Sequence, residues 1–305
     1  MWLLMAFCSA LFLGFYDVFK KIALTGNAVL PVLFMNTVIC SLLFLPFILL
    51  SSYTDVLTGT AFYVPSTGWA QHGYIIVKSV IVLSSWVCGY VAMKHLPITI
   101  VGPVNATRPV LVLIGAMLVF GERLNAWQWA GVSLAVLSFY LLSVSSKKEG
   151  VDFRHNAWVV FLGLAALLGA VSGLYDRWLM AGEEHGGAGM DRMVVQSWYN
   201  VYQSLFMGLT LLIMWRRTMS KDAAKFTWRW SILFISLFLS IADFIYFYTL
   251  TLPGVMISIV SLVRRSSVVV SFVCGALVFK EKNLTSKAVD LLLIILGMIC
   301  LYLGL

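Results

Sequence analysis

Three arginines stand where a charged side chain is hardest to keep. Arg108, Arg264 and Arg265 each lie near the middle of a long apolar run. If those runs cross a membrane, inserting each one costs about 2.5 to 3.5 kcal/mol, so such residues need a charged partner or a wet cavity. A guanidinium fork grips carboxylate and phosphate alike through two parallel hydrogen bonds, which makes anion recognition the chemistry on offer. Polar neighbours follow helical spacing: Asn105 stands three before Arg108, Ser258 and Ser261 precede Arg265, and Gln196, Asn200 and Gln203 repeat at four and three. One such stripe can be helix-packing glue, whereas several converging stripes favour a cavity. Trp86, Tyr90 and Tyr246 are candidates for its apolar walls. The acids available are Asp17, Asp176 and Asp243, and Asp243 reads either as an arginine counter-ion or as a proton carrier. The expected substrate site is thus Arg108, Arg264, Arg265, Asn105, Ser261, Gln196, Asn200, Trp86, Tyr90 and Tyr246, with Asp243, Asp17 and Asp176 as coupling or counter-ion residues.

The elements that hold these residues follow from composition. The 305 residues are 61% hydrophobic and 11% charged, with a mean hydropathy of +0.95. Soluble proteins carry about 25% charged residues, and no soluble core holds so much apolar surface. Apolar stretches with few charges, long enough to cross a bilayer as helices, fall at 2–24, 31–50, 72–94, 97–120, 126–144, 156–180, 193–215, 230–250, 253–279 and 285–304. They are continuously apolar and lack the alternation of barrel strands, so the expected fold class is all-α integral membrane with ten transmembrane helices. The first is read as a retained helix, since it lacks a positive leading region. The net charge of +8 sits mostly between spans, which speaks for a lipid bilayer as partner and against nucleic acid. Cys8, Cys40, Cys88, Cys274 and Cys300 read as packing residues, and His72, His95, His155 and His185 lack ligand spacing, so neither a metal nor a cofactor is expected.

An internal repeat organises the chain. Gly14-Phe15-Tyr16-Asp17 matches Gly173-Leu174-Tyr175-Asp176, and Leu118-Val119-Phe120-Gly121-Glu122-Arg123 matches Leu277-Val278-Phe279-Lys280-Glu281-Lys282, both at an offset of 159. Leu96-Pro97 matches Leu252-Pro253 at 156, which places Arg108 and Arg264 at equivalent depths. The expected units are a five-helix repeat over 1–145, a connector over 146–155 and a second repeat over 156–305. An odd helix number per unit inverts the second against the first, and inverted repeats place a substrate site at their interface near the midplane.

With two five-helix units, each closing its fourth helix on a Glu-basic ending (Glu122-Arg123-Leu124 and Glu281-Lys282), the chain resembles the EamA-type branch of the drug/metabolite transporter superfamily over its whole length. The resemblance implies a secondary carrier for small metabolites without saying which. A more distant similarity is to the triose-phosphate translocators. These bind phosphate with a basic residue on the fourth helix and a Lys-Arg pair on the ninth, which Arg108 and Arg264-Arg265 resemble, with arginine in place of the pair's lysine. That similarity suggests anion selectivity only.

The expected function is therefore secondary active transport of a small anionic or zwitterionic metabolite (an organic anion, phosphate or amino acid) across a bacterial-type inner membrane by alternating access. The rivals are a broad amino-acid or drug exporter with structural arginines and a lipid-phosphate flippase. No nucleophile-base or paired-acid motif supports an enzyme. A homodimer is left open. Lys20, Lys21 and the basic residues near 147–154, 216–229 and 280–287 gather on one side, while 51–71 and 181–191 have no Lys or Arg. The positive-inside rule then points both termini outward, whereas the EamA resemblance implies termini inside.

Overall fold

A computed structural model describes residues 2–108, 110–112, 114–115, 125–127, 129–131, 133–134, 137–138, 141, 156–183, 186–218, 225–252, 260, 263–264, 266–278 and 284–304. Among the described residues the protein is helical and has no strands. Its helices are α1 (Trp2–Leu24), α2 (Val29–Tyr53), α3 (Trp69–His95), α4 (Ile98–Ala106), α5 (Ala157–Met180), α6 (Arg192–Thr218), α7 (Trp230–Leu250), α8 (Ser267–Leu277) and α9 (Leu284–Leu303). Among the described residues, four stretches, Val29–Tyr53, Trp69–His95, Ala157–Met180 and Trp230–Thr249, are long and apolar enough to cross a membrane. Each satisfies its own backbone, the condition a spanning segment must meet in hydrocarbon. Of the expected span 126–144 only part lies within the described residues.

Local chemistry sets where the helices begin and end. The carboxylate of Asp191 accepts from the backbone N–H groups of Met193, at 2.7 Å, and Val194, at 3.2 Å, and so caps α6. Asn156 does the same for α5 by accepting from Trp158 N–H at 2.9 Å. Between α1 and α2 the chain reverses through Gly26 at φ 66°, a conformation that favours glycine.

Two expected helices are not uniform, and both changes fall beside an arginine. The span expected over 97–120 tightens at Thr107, whose N–H bonds Val104 O and whose carbonyl accepts from Val110 N–H. The span expected over 253–279 tightens at Ser266, whose N–H bonds Val263 O and whose carbonyl accepts from Val269 N–H. These are i to i+3 bonds, the tighter 3₁₀ pattern that often marks a functional position within a helix. Pro109 explains the first, because it offers no N–H to the carbonyl four residues back and disfavours helical backbone at the residue before it.

The helices pair across the middle of the chain. α1 packs chiefly on α7, α3 on α5 and α2 on α6. Phe19 of α1 meets Phe234 and Phe238 of α7 at ring-centroid distances of 5.0 and 5.4 Å. Ser9 Oγ donates to Ala242 O at 2.7 Å, and Ser85 Oγ donates to Ala165 O at 2.8 Å, tying α1 to α7 and α3 to α5. Buried Ala165, Ala166 and Ala170 let α5 approach its neighbours closely, as small residues do between membrane helices. Leu42, Val160, Leu164, Leu212 and Ile213 are exposed, an apolar surface suited to lipid.

Gly14 on α1 lies close against Val270 on α8, where a Cβ at Gly14 would lie 2.5 Å from Val270 Cβ. Gly14→Val is therefore expected to destabilise the protein by about 1 to 3 kcal/mol through overpacking. Adding Val270→Ala should return most of the loss. Unfolding midpoints in detergent check this, and an unchanged midpoint for Gly14→Val alone would show that α1 and α8 part freely there.

Candidate functional site

The site grows from helices that meet at the centre of the bundle. From α1 come Tyr16, Asp17 and Lys20, from α3 Lys78, Ser85, Trp86 and Tyr90, from the end of α4 Asn105, and from the tightened turn after it Arg108. Gly169, Ser172 and Asp176 come from α5, Tyr199 from α6, Asp243, Tyr246 and Phe247 from α7, Arg264 from just before α8 and Ser267 from its start. Together they enclose a cavity of about 160 Å³ to which both halves of the chain contribute. Its volume lies below the roughly 300 to 1,000 Å³ of pockets for drug-sized ligands. It suits a small molecule.

The charges are arranged in pairs. Lys20 donates to Asp17 Oδ1 at 2.6 Å within α1. Lys78 of α3 pairs with Asp176 of α5, the repeat mate of Asp17, and their side chains are only 3% and 10% exposed. Arg264 pairs with Asp243, whose other oxygen accepts from the Tyr199 hydroxyl at 2.9 Å. Aromatic faces complete these pairs. Lys20 lies 4.3 Å from the centre of the Tyr16 ring, Lys78 5.1 Å from that of Tyr199 and Arg264 4.2 Å from that of Tyr246, distances at which ring quadrupoles attract cations.

Arg108 differs from the other three cations. Among the described residues it forms no ion pair. Its buried Nε–H also has no hydrogen-bond partner, a feature that it shares with Arg264. Its charged neighbours across the cavity are Asp17 and Arg264. The described lining holds four basic side chains, Lys20, Lys78, Arg108 and Arg264, against three carboxylates, so one positive charge is in excess when all are ionised. Asn105 Oδ1, another buried polar atom of the lining, also lacks a partner among the described residues.

The structure brings Arg108, Arg264, Asn105, Trp86, Tyr90, Tyr246, Asp243, Asp17 and Asp176 to one cavity. Arg265 and Ser261 lie outside the described residues. Gln196 and Asn200 are buried elsewhere on α6: Gln196 Nε2 donates to Ser240 O at 3.3 Å, and Asn200 Nδ2 donates to Gln196 O at 2.9 Å. They belong to a polar seam shared by α2, α6 and α7, in which Ser236 Oγ donates to Asn36 Oδ1 at 3.0 Å. Sequence reasoning missed Lys20, Lys78, Tyr16, Tyr199 and Gly169. Lys20 had been counted among loop charges, and its burial inside α1 removes it from the orientation count. Lys78 carried a readable signal, being a charge inside an apolar span whose other lysine, Lys94, stands at its end.

Both ends of the bundle are tied. On one end Lys21 Nζ donates to Met93 O at 2.8 Å and Leu96 O at 2.6 Å, while Asn27 and Thr227 exchange two hydrogen bonds. On the other, Phe62 in the connector after α2 lies 5.2 Å from both Phe47 and Phe244, and Arg192 donates to Ala61 O at 2.6 Å.

Residues 1–144 match the EamA-like transporter family. The uncharacterized transporter PA0485 of Pseudomonas aeruginosa is 35% identical over 137 residues, a stretch that makes up 43% of this chain and 43% of that protein. The chain thus spans less than half the length of this curated relative in the match. A crystal structure of another protein shares the fold over 98% of this chain and 96% of its own, with a TM-score of 0.63 at 14% identity. The N-terminal part of this chain, residues 1–144, is thus similar to the EamA-like transporter family.

Proposed function

We propose that the protein is a multi-pass secondary transporter, not an enzyme, that carries a small anionic or zwitterionic metabolite across the inner membrane by alternating access. The single observation that carries this reading is the central cavity, in whose described lining three cations are matched by three carboxylates and Arg108 is left over. A ligand bearing one net negative charge neutralises that excess, whereas a zwitterion gives Arg108 a carboxylate partner without changing the net charge. Asp243, bonded to Arg264 and Tyr199, acts in this reading as a counter-ion that fixes Arg264.

The architecture we infer is ten helices in two inverted repeats, 1–145 and 156–305, joined by 146–155. The packing supports it. Exchanging the halves turns the α1–α7 contact into the α5–α3 contact and returns α2–α6 to itself. Gly14 against Val270 is likewise mirrored by Gly173, which faces Val112 at 3.7 Å. The tightened turns at Thr107 and Ser266 support a midplane site, since carriers of this type bind at discontinuous helices. We orient both termini outward from the distribution of Lys and Arg.

The test is thermal stabilisation of the purified full chain by inorganic phosphate, L-lactate, L-alanine and succinate, with glucose and choline as neutral and cationic controls. Stabilisation by a monoanion or by the zwitterion, and not by the controls, is the expected result. A response confined to glucose or choline, or none at all, overturns the reading.

A further inference from the structure

Gly169 has no chemistry of its own, yet it lies against the one cavity cation that forms no ion pair among the described residues. It stands in the interior of α5, where glycine is a poor helix former compared with alanine. A Cβ built there would lie 2.6 Å from Arg108 Cζ, 2.7 Å from Nη1 and 2.8 Å from Nε. Three atoms of one planar group at nearly equal, sub-contact distances mean that the guanidinium lies flat on the bare backbone of α5. The other glycines of this helix are unlike it. Gly163 has nothing within 4 Å, and Gly173 makes only ordinary contact with Val112 at 3.7 Å.

We propose that Gly169 is a positioning residue for anion binding: by leaving α5 bare it sets the depth and plane of the Arg108 guanidinium, so that its edge rather than its face meets a compact monoanion. The proposal rests on the anion-carrier reading above. With one face of the group covered by the α5 backbone, the unpartnered Nε–H lies along an edge. A carboxylate or phosphate oxygen pair engages such an edge in the plane of the fork. A methyl group at residue 169 cannot share this space. It displaces the guanidinium toward the cavity by about 1 Å, a misplacement of the order that costs up to about a hundredfold where geometry is strict.

The experiment uses the full chain in detergent and four probes, namely formate, acetate, L-lactate and inorganic phosphate, with dissociation constants read from the ligand dependence of the melting temperature. Gly169→Ala is expected to weaken the best-bound probe about tenfold or more while the ligand-free melting temperature stays level or rises, because alanine is the better helix former. In an Arg108→Lys background, whose slender ammonium has no plane to be held, the same Gly169→Ala change should cost less than about threefold, the non-additivity expected of a residue acting through another. A loss of equal size in both backgrounds, or one accompanied by a lowered melting temperature, assigns Gly169 to helix packing and overturns the proposal. Wild-type affinity in Gly169→Ala overturns it too. If no probe shifts the wild-type chain, the anion-carrier reading fails first and this inference with it.

Discussion

Lys78→Met is expected to destabilise the protein by about 3 to 5 kcal/mol, the cost of leaving a buried charge without its partner. The partner is Asp176, which has no other ion pair among the described residues and whose side chain is 10% exposed. Methionine keeps the length of lysine and its apolar stem, so the loss reads the charge and not the packing. The aromatic faces of Tyr199 and Phe247, 5.1 and 5.3 Å from the ammonium, lose their cation in the same step. Adding Asp176→Asn should recover most of the stability, since two neutral groups avoid the uncompensated carboxylate. Unfolding midpoints of the two variants in detergent check this. A single variant as stable as the wild type would mean that Asp176 finds another cation or a proton.

Arg108→Gln should have the opposite profile. Because Arg108 lacks an ion pair among the described residues, its removal strands no carboxylate there, and stability is expected to hold or rise. Binding of the anionic group should fall by about 2 to 5 kcal/mol, the scale for truncating one side of a buried charge pair, or roughly thirtyfold to a few thousandfold. Lysine at the same position should restore little if the planar fork matters and more if charge alone does. Arg264→Gln, by contrast, should reduce stability together with binding, because it leaves Asp243 uncompensated. Equal affinities for wild type and Arg108→Gln, measured with whichever anion stabilises the wild-type chain, would remove Arg108 from the site.

Much of this was legible in the residues because lipid imposes a plain code. Helix extents at Trp2–Leu24, Ala157–Met180 and Trp230–Leu250 follow from unbroken apolar runs, and the ends differ from expectation by a residue or none. Arg108, Arg264 and Asp243 announced themselves as charges inside such runs, and Asp17 and Asp176 through the repeat. Lys20 was masked by Lys21, since adjacent lysines at the end of an apolar run look like the edge of a loop. Gln196 and Asn200 do repeat with helical spacing. Their spacing says that they share a face and not which neighbour that face meets, and here it meets the seam with α2 and α7. The turn at Thr107 had a sequence signal in Pro109, whereas the one at Ser266 had none. Gly169 could not be read at all, because its contribution is the space that a side chain would fill.

The pairing of Lys78 with Asp176 also bears on how the chain is made. The two residues are 98 positions apart. At synthesis rates of about 5 to 20 residues per second, α3 emerges some 5 to 20 seconds before its carboxylate exists. During that interval a lysine ten positions into a membrane-crossing helix faces lipid, water or the insertion machinery with no native counter-ion. The principal partners of α1, α2 and α3 all lie in the second half, so the first three helices wait together for α5, α6 and α7. Asp243 waits far less, since Arg264 follows it by 21 residues. Biogenesis is thus most exposed after the first half is translated, and α3 is the segment with most reason to remain at the insertion site until α5 arrives.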